Sequence, residues 1–418
     1  MAAFAPPPGT ADIFPAEAAS WRMLENTAAK VFTAYGYGEL RTPVFEYTEV
    51  FQRGLGGETE VVQKEMYTFE DRGGRSLTLR PEGTAGVMRA LTNTDVANGT
   101  EQRVFYYGPM FRGERPSAGR RRQFHQIGVE NVGRCAPLID AECIAMLHNF
   151  LLQIGITGAE FTINTRGVAA DRAPAEALLR EYFAKHLDSM CPDCRTRFER
   201  NIWRMLDCKQ ECCQQVIANA PDYVGAFSDE SRAYFEEVKT ALTRLNVPFK
   251  VSSRLVRGLD YYVHTVFEVT HNALGEQIAI AGGGRYELFL PGEKRPLPGV
   301  GFAAGAERLL LVRDALGAPV PDTAGADCFF IGLGAAARME NLILADKLRT
   351  AGKNIALELE ERSFKAQMRS ANRTRAAFTL IRGESEMENH IAIIKNMADG
   401  SQCEVPETQL YEYLLKNI

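Results

Sequence analysis

Between Glu17 and Tyr35 the apolar residues Trp21, Leu24, Ala28, Val31 and Phe32 recur every three or four positions, a spacing that predicts a helix. The GYGELRTPVFEY that follows reads as a turn and then one strand, where Pro43, lacking an N–H, marks an edge or a bulge. Strand-like runs recur at Ser76–Leu79, Arg103–Tyr107, Gln123–Val129, Tyr262–Val269, Glu276–Ala281 and Gly299–Phe302. Their turns are short and several are hairpin-like, so the pattern predicts an antiparallel sheet flanked by helices. Gly301–Val312 passes from the last of these strands into a helix.

From 167 to 250 helix formers replace the strand pattern, which predicts a helical insertion. Asp314–Ala326, rich in Pro, Gly and Ala, predicts a linker. Beyond it CFFIGLG, NIALEL, AFTLIRG and HIAIIKN alternate with helical patterns, as in an α/β unit with partly parallel strands. The expected fold class is α+β, with a first domain over 1–320, its insertion at about 167–250, and a second domain over 327–418.

A chain of 418 residues has room for two or three domains. It has no run of about 18 apolar residues that could span a bilayer. MAAFAPPPGTADIFP has neither a basic start nor a long apolar stretch, so no secretory leader is expected and the expected compartment is cytoplasmic. A net charge of −5 argues against binding nucleic acid through overall charge and leaves local patches to do so. Nine cysteines in such a chain point to reduced thiols. Cys191-x2-Cys194 followed by Cys208-x3-Cys212, with Cys213 adjacent, has the spacing of a four-thiolate zinc knuckle. Chance clustering gives the same letters, so structural Zn2+ at Cys191, Cys194, Cys208 and Cys212 is one reading and packed or reactive thiols the other.

Candidate chemistry concentrates in four segments. Arg112, Arg115, Arg120, Arg121 and Arg122 lie within 11 residues around a predicted hairpin tip, Pro116–Gly119. Arginine forks match phosphate oxygens, although a solvated hairpin would carry the same residues. In Arg80–Thr84, Glu82 and Thr84 could hold an ammonium group or simply start a helix. Arg257-Gly-Leu-Asp-Tyr-Tyr262 offers two hydroxyls beside a guanidinium, with core tyrosines as the alternative. Gly282–Gly284 would allow close approach of a ligand or make a plain turn. Arg308 stands in the first turns of a predicted helix, against the helix dipole, where an anion would offset the mismatch.

Taken together, LTLRPEGTAG at 77–86, FRGERP with RQFHQIGVE at 111–130, LVRGLDYY and TVFE at 255–268, and GVGFAAGAERL at 299–309 resemble the signature motifs of class II aminoacyl-tRNA synthetases, and specifically the histidyl-tRNA synthetases. GTADIFP at 9–15 and VVQKEMYTFEDRGGRSL at 61–77 are similar too. The resemblance implies a six-stranded antiparallel catalytic sheet, a helical insertion, a C-terminal anticodon-binding domain and a homodimer with 17–50 in its interface. It implies ATP-dependent ligation of L-histidine to histidine tRNA through histidyl-adenylate, with Mg2+ bridging the β- and γ-phosphates. By motif, Arg112, Arg257 and Arg308 would be catalytic and bind ATP, and Glu82, Thr84, Gln126, Glu130, Tyr261 and Tyr262 would bind histidine. Arg115, Arg120 and Arg121 would meet tRNA, although Ser117-Ala118 stand where many relatives carry Gln-Lys. Arg362, Lys365, Arg369 and Arg373, spaced by three or four, would form a second tRNA-binding face unless the acids at 358–361 pair with them. Two rivals share features of the pattern: the non-catalytic regulatory paralogue of the ATP phosphoribosyltransferase complex, and a nucleotide-dependent ligase without tRNA.

Overall fold

The computed structural model describes residues 5–55, 59, 61–117, 119–256, 261–274, 279–289, 296–320 and 325–418. The chain divides into two compact units, Met1–Pro321 and Asp322–Ile418.

The first unit holds eleven strands among its described residues: β1 (Gly38–Glu39), β2 (Phe45–Tyr47), β3 (Thr68–Glu70), β4 (Ser76–Leu79), β5 (Gln102–Phe111), β6 (Gln123–Val132), β7 (Glu160–Thr165), β8 (Phe249–Val251), β9 (Tyr262–Thr270), β10 (Ala279–Leu288) and β11 (Leu297–Gly305). Eight of them form a sheet in the order β1-β5-β6-β11-β10-β9-β7-β8. The six central strands are antiparallel to one another. The edges differ from the expected sheet: β1 runs parallel to β5, and β8 parallel to β7. Strands of two or three residues show no readable alternation. The small sheet β2-β4-β3 stands apart. Pro43 falls between β1 and β2, so the single strand expected there is two.

Helix Pro15–Ala34 buries Leu24, Ala28, Val31 and Phe32, the face its spacing predicts. Phe32 packs edge-on against Phe105 and Phe302 of the sheet, with ring centroids 5.7 and 5.8 Å apart. Helix Pro137–Gln153 is fastened to β10 by a fully buried ion pair, in which Arg285 Nε and Nη2 lie 2.7 and 2.6 Å from Asp140 Oδ1. Tyr234 donates to the other oxygen of Asp140, and Arg285 Nη1 donates to the Arg134 carbonyl. Such a pair is tolerable only because these extra bonds satisfy it.

The helical stretch after 167 serves two cores. Residues of 175–227, among them Leu179, Phe183, Trp203, Met205, Ile217 and Tyr223, form a small core of their own. Helix Asp229–Arg244 instead packs Phe235, Val238 and Leu242 into the core of the large sheet.

In the second unit β12 (Cys328–Gly332), β13 (Ile355–Leu357), β14 (Phe378–Arg382), β15 (Ile391–Asn396) and β16 (Gln402–Pro406) lie in the order β13-β12-β14-β15-β16. The first three are mutually parallel and the last two antiparallel to their neighbours, a mixed sheet as the alternating pattern predicts. Arg382 is buried there between Asn341 and Glu407.

Candidate active site

Long strands β5 and β6 make a hairpin whose last pair is Phe111 with Gln123, so 112–122 forms its loop, bridged at Ser117–Arg120. Alternation along β6 puts Gln126, Gly128 and Glu130 on one face. That face, with the start of β9, β10 and β11, lines a cavity of about 940 Å³. Glu82, Thr84, Arg112, Gln126, Glu130, Tyr261, Tyr262 and Arg308 all reach it.

Part of the cavity lining is carboxylate and hydroxyl. Glu82 is buried and accepts the amide hydrogens of Thr84 and Ala85 at 2.7 and 2.8 Å. It therefore satisfies the first turn of helix Thr84–Leu91, so the helix-start reading of this residue is realised within the pocket. Glu130 accepts from Thr84 Oγ1 at 2.7 Å and from the Tyr286 hydroxyl at 2.8 Å. Burial pushes the Glu130 carboxyl up to about 8, against those two donors, and neighbouring Glu82 adds to the rise. Room for this carboxylate comes from Gly301, paired with Glu130 across β6 and β11. A Cβ at Gly301 would lie 2.1 Å from Glu130 Oε2. Oε1 of Gln126 is buried with no partner among the described residues, an acceptor left for a ligand.

Arginines line the same cavity. Arg112 donates from Nε to the Pro81 carbonyl and lies over the Phe124 ring, which leaves its terminal fork without a partner among the described residues. Arg308 is anchored by Gly119 and Ala279 carbonyls at 2.8 and 2.5 Å. Burial lowers the Arg308 pKa, and nearby Arg120 and Arg112 lower it further despite Glu114. A buried guanidinium crowded by neighbouring arginines, as Arg308 is, is the arrangement a polyanion relieves.

The structure separates the remaining expected residues. Arg257 lies outside the described residues. Arg120 and Arg121 line the cavity, whereas Arg115 is exposed and off its lining. Gly282–Gly284 form no turn: they are mid-β10, and a Cβ at Gly283 would lie 2.0 Å from the Gly301 oxygen. In the second unit helix Phe364–Arg373 carries Lys365, Arg369 and Arg373, all exposed. Arg362 precedes that helix and pairs with Glu358 and Glu360 at 3.4 and 3.6 Å, so it leaves the proposed face. Sequence reasoning missed Tyr286 as a partner of Glu130, and Glu307, which accepts from the His125 amide and ring on the cavity wall. The fourth cysteine is also corrected. Sγ atoms of Cys191, Cys194, Cys208 and Cys213 converge, while Cys212 points outward from helix Glu211–Ala218.

An antiparallel sheet whose motif-bearing strands bring carboxylates and arginines to one cavity is the architecture of class II aminoacyl-tRNA synthetases. The solved structure of apo Staphylococcus aureus histidyl-tRNA synthetase superposes with a TM-score of 0.83 at 35% identity, covering 99% of this chain and all of that one. A histidyl-tRNA synthetase family model matches residues 9–309, and an anticodon binding domain model matches 327–417. The histidine–tRNA ligase of Halothermothrix orenii is 45% identical, with 98% of each chain covered. That of Geobacillus thermodenitrificans is 44% identical over 99% of this chain and 98% of its own. The chain belongs to the histidyl-tRNA synthetase family.

Proposed function

We propose that this chain joins L-histidine to histidine tRNA through a histidyl-adenylate made from ATP. The observation that carries the reading is one cavity lined by both buried carboxylates and arginines. An amino acid is cationic at its ammonium and ATP is anionic at its phosphates, so the carboxylates would take the one and the arginines the other. Glu82, Gln126 and Thr84 would take the ammonium, the orphaned Gln126 oxygen among them. Glu130 and the hydroxyls of Tyr261 and Tyr262 would take the imidazole ring. A pocket of this kind rejects apolar amino acids by roughly 10⁴–10⁵, because they strand its polar groups.

Arg112 would meet the α-phosphate and Arg308 the γ-phosphate, with Arg257 opposite Arg112 by its place in the motif. Arg112 and Arg308 would be cations already in place where charge builds as the histidine carboxylate attacks in line. Aminoacyl-tRNA synthetases use ATP with Mg2+. Among the described residues no group of three or more carboxylates converges in this cavity, so the ion's ligands would be mostly the nucleotide's own oxygens and water. Exposed Lys365, Arg369 and Arg373 would contact the anticodon stem, and Arg120 and Arg121 the acceptor end. A second copy of this chain would cover the exposed Val44, Phe45, Tyr47, Tyr67 and Phe69 around the small sheet.

A regulatory, non-catalytic role is not favoured, since both family models match in full sequence order and Arg112 and Arg308 stand in the cavity. Histidine-dependent ATP–pyrophosphate exchange and charging of total tRNA test the proposal. Exchange without charging would remove the tRNA step; neither would remove the reading.

A further inference from the structure

The geometry points to a structural zinc ion held by Cys191, Cys194, Cys208 and Cys213 in the insertion. The four Sγ atoms all lie within 4.8 Å of one another, and Cys191 and Cys208 stand 3.8 Å apart. Thiolates at about 2.3 Å from one ion in a tetrahedron are separated by about 3.8 Å, so these sulfurs already sit at close to the spacing zinc requires. They are too close to enclose a cluster of several irons.

Burial supports the same set. Cys194, Cys208 and Cys213 are buried and Cys191 is half-buried, whereas Cys212 is exposed. Cys212 comes within 3.9 Å of its neighbour Cys213 but lies outside the mutually close set. The electrostatics of the backbone also suit thiolates. Cys191 caps helix Pro192–Arg200 and Cys194 lies in its first turn. Cys213 lies in the first turn of helix Glu211–Ala218. Two helix N-termini thus aim their positive ends at the cluster, and the Cys191 amide donates to Cys213 Sγ at 3.2 Å.

The need for a metal follows from size. The insertion's own core spans only residues 175–227, with short helices and 3-10 turns between. Units this small are commonly stapled by disulfides or a metal, and all nine cysteines here are free. Four protein ligands close the coordination shell, which makes the ion structural and leaves no position for substrate.

The test uses the full chain, purified reduced and without chelator. Elemental analysis should find about one zinc per chain and essentially no iron, a closed four-ligand site being the tight kind. Cys213→Ser should lose the metal while Cys212→Ser keeps it, which separates the three-dimensional site from the spacing in the sequence. Should Cys213→Ser fail to fold, cobalt reconstitution of the parent chain should give the intense thiolate-to-cobalt absorption of a tetrahedral four-sulfur site, unchanged in Cys212→Ser. Several results would overturn the proposal: less than about 0.2 zinc per chain with all thiols freely titrating, stoichiometric iron instead, disulfides among these cysteines, or equal loss of metal in both variants.

Discussion

Glu130 concentrates the conflict between stability and function in this protein. Its carboxyl is buried beside Glu82, and its pKa rises from 4.5 to about 8. Between those values the native state holds a proton that the unfolded chain has released. The contribution of this group is therefore fully present below about pH 4.5 and is lost as pH rises towards about 8. Glu130→Gln keeps the size and an acceptor for Thr84 or Tyr286 without the charge. Its thermal midpoint should gain on that of the parent progressively from pH 5 to pH 8, while the KM for histidine rises by about 5- to 150-fold and that for ATP changes little, as expected for about 1–3 kcal/mol of lost pairing. Equal shifts in both KM values, or a stability difference flat with pH, would contradict the assignment. Glu82, Thr84, Gln126 and Glu130 were named through the motifs that resemble the family, and all four line the cavity. Tyr286 was not named, because it reads as one more strand aromatic. Only the register that sets β10 beside β11, and β11 beside β6, brings its hydroxyl to Glu130.

At the scale of elements, long periodic segments were readable and short or bolted ones were not. Helix Pro15–Ala34 and strands β5, β6, β9 and β11 announce themselves by spacing, whereas β7 was missed and β1, β8 and β16 are edge strands too short or too exposed to show alternation. Neighbouring positions on a helix point about 100° apart, so the phase of helix Glu211–Ala218 decides between Cys212 and Cys213, and spacing alone could not. The ion pair between Asp140 and Arg285 was equally invisible, since it joins a helix to a strand far along the chain. Asp140→Ala would leave the Arg285 guanidinium charged and buried, at a cost of about 3–5 kcal/mol read as a lower denaturant midpoint. A loss under about 1 kcal/mol would mean that water or a shifted side chain rescues the arginine. The small sheet makes a different prediction. Phe45 and Phe69 stack edge-on at 6.3 Å yet remain about half exposed, so their apolar faces are available to a second copy. Phe45→Glu with Phe69→Glu should shift the mass in solution from dimer to monomer at micromolar concentration; an unchanged mass would place any dimer interface elsewhere.

For the molecule as a whole, charge sets the terms on which it can bind tRNA. A net charge of −5 repels a polyanion at long range, so binding must come from local cationic faces. Helix Phe364–Arg373 supplies one in the second unit, with Lys365, Arg369 and Arg373 exposed and Arg362 held aside by its acids. Burial of Gln367, Ser370 and Ala371 fixes which side of this amphipathic helix faces the sheet, and the cations occupy the other. Reversing Arg369 and Arg373 together to Glu should weaken tRNA binding at low salt by well over tenfold. It should also flatten the plot of log affinity against log salt by about 2, one for each phosphate no longer neutralised. Pyrophosphate exchange should stay normal, because the cavity proposed to take histidine and ATP lies in the first unit. Loss of exchange would signal misfolding rather than weakened tRNA binding, and a parallel thermal melt separates the two. An unchanged salt dependence with unchanged affinity would remove this helix from the tRNA surface and leave the hairpin arginines as the remaining cationic face.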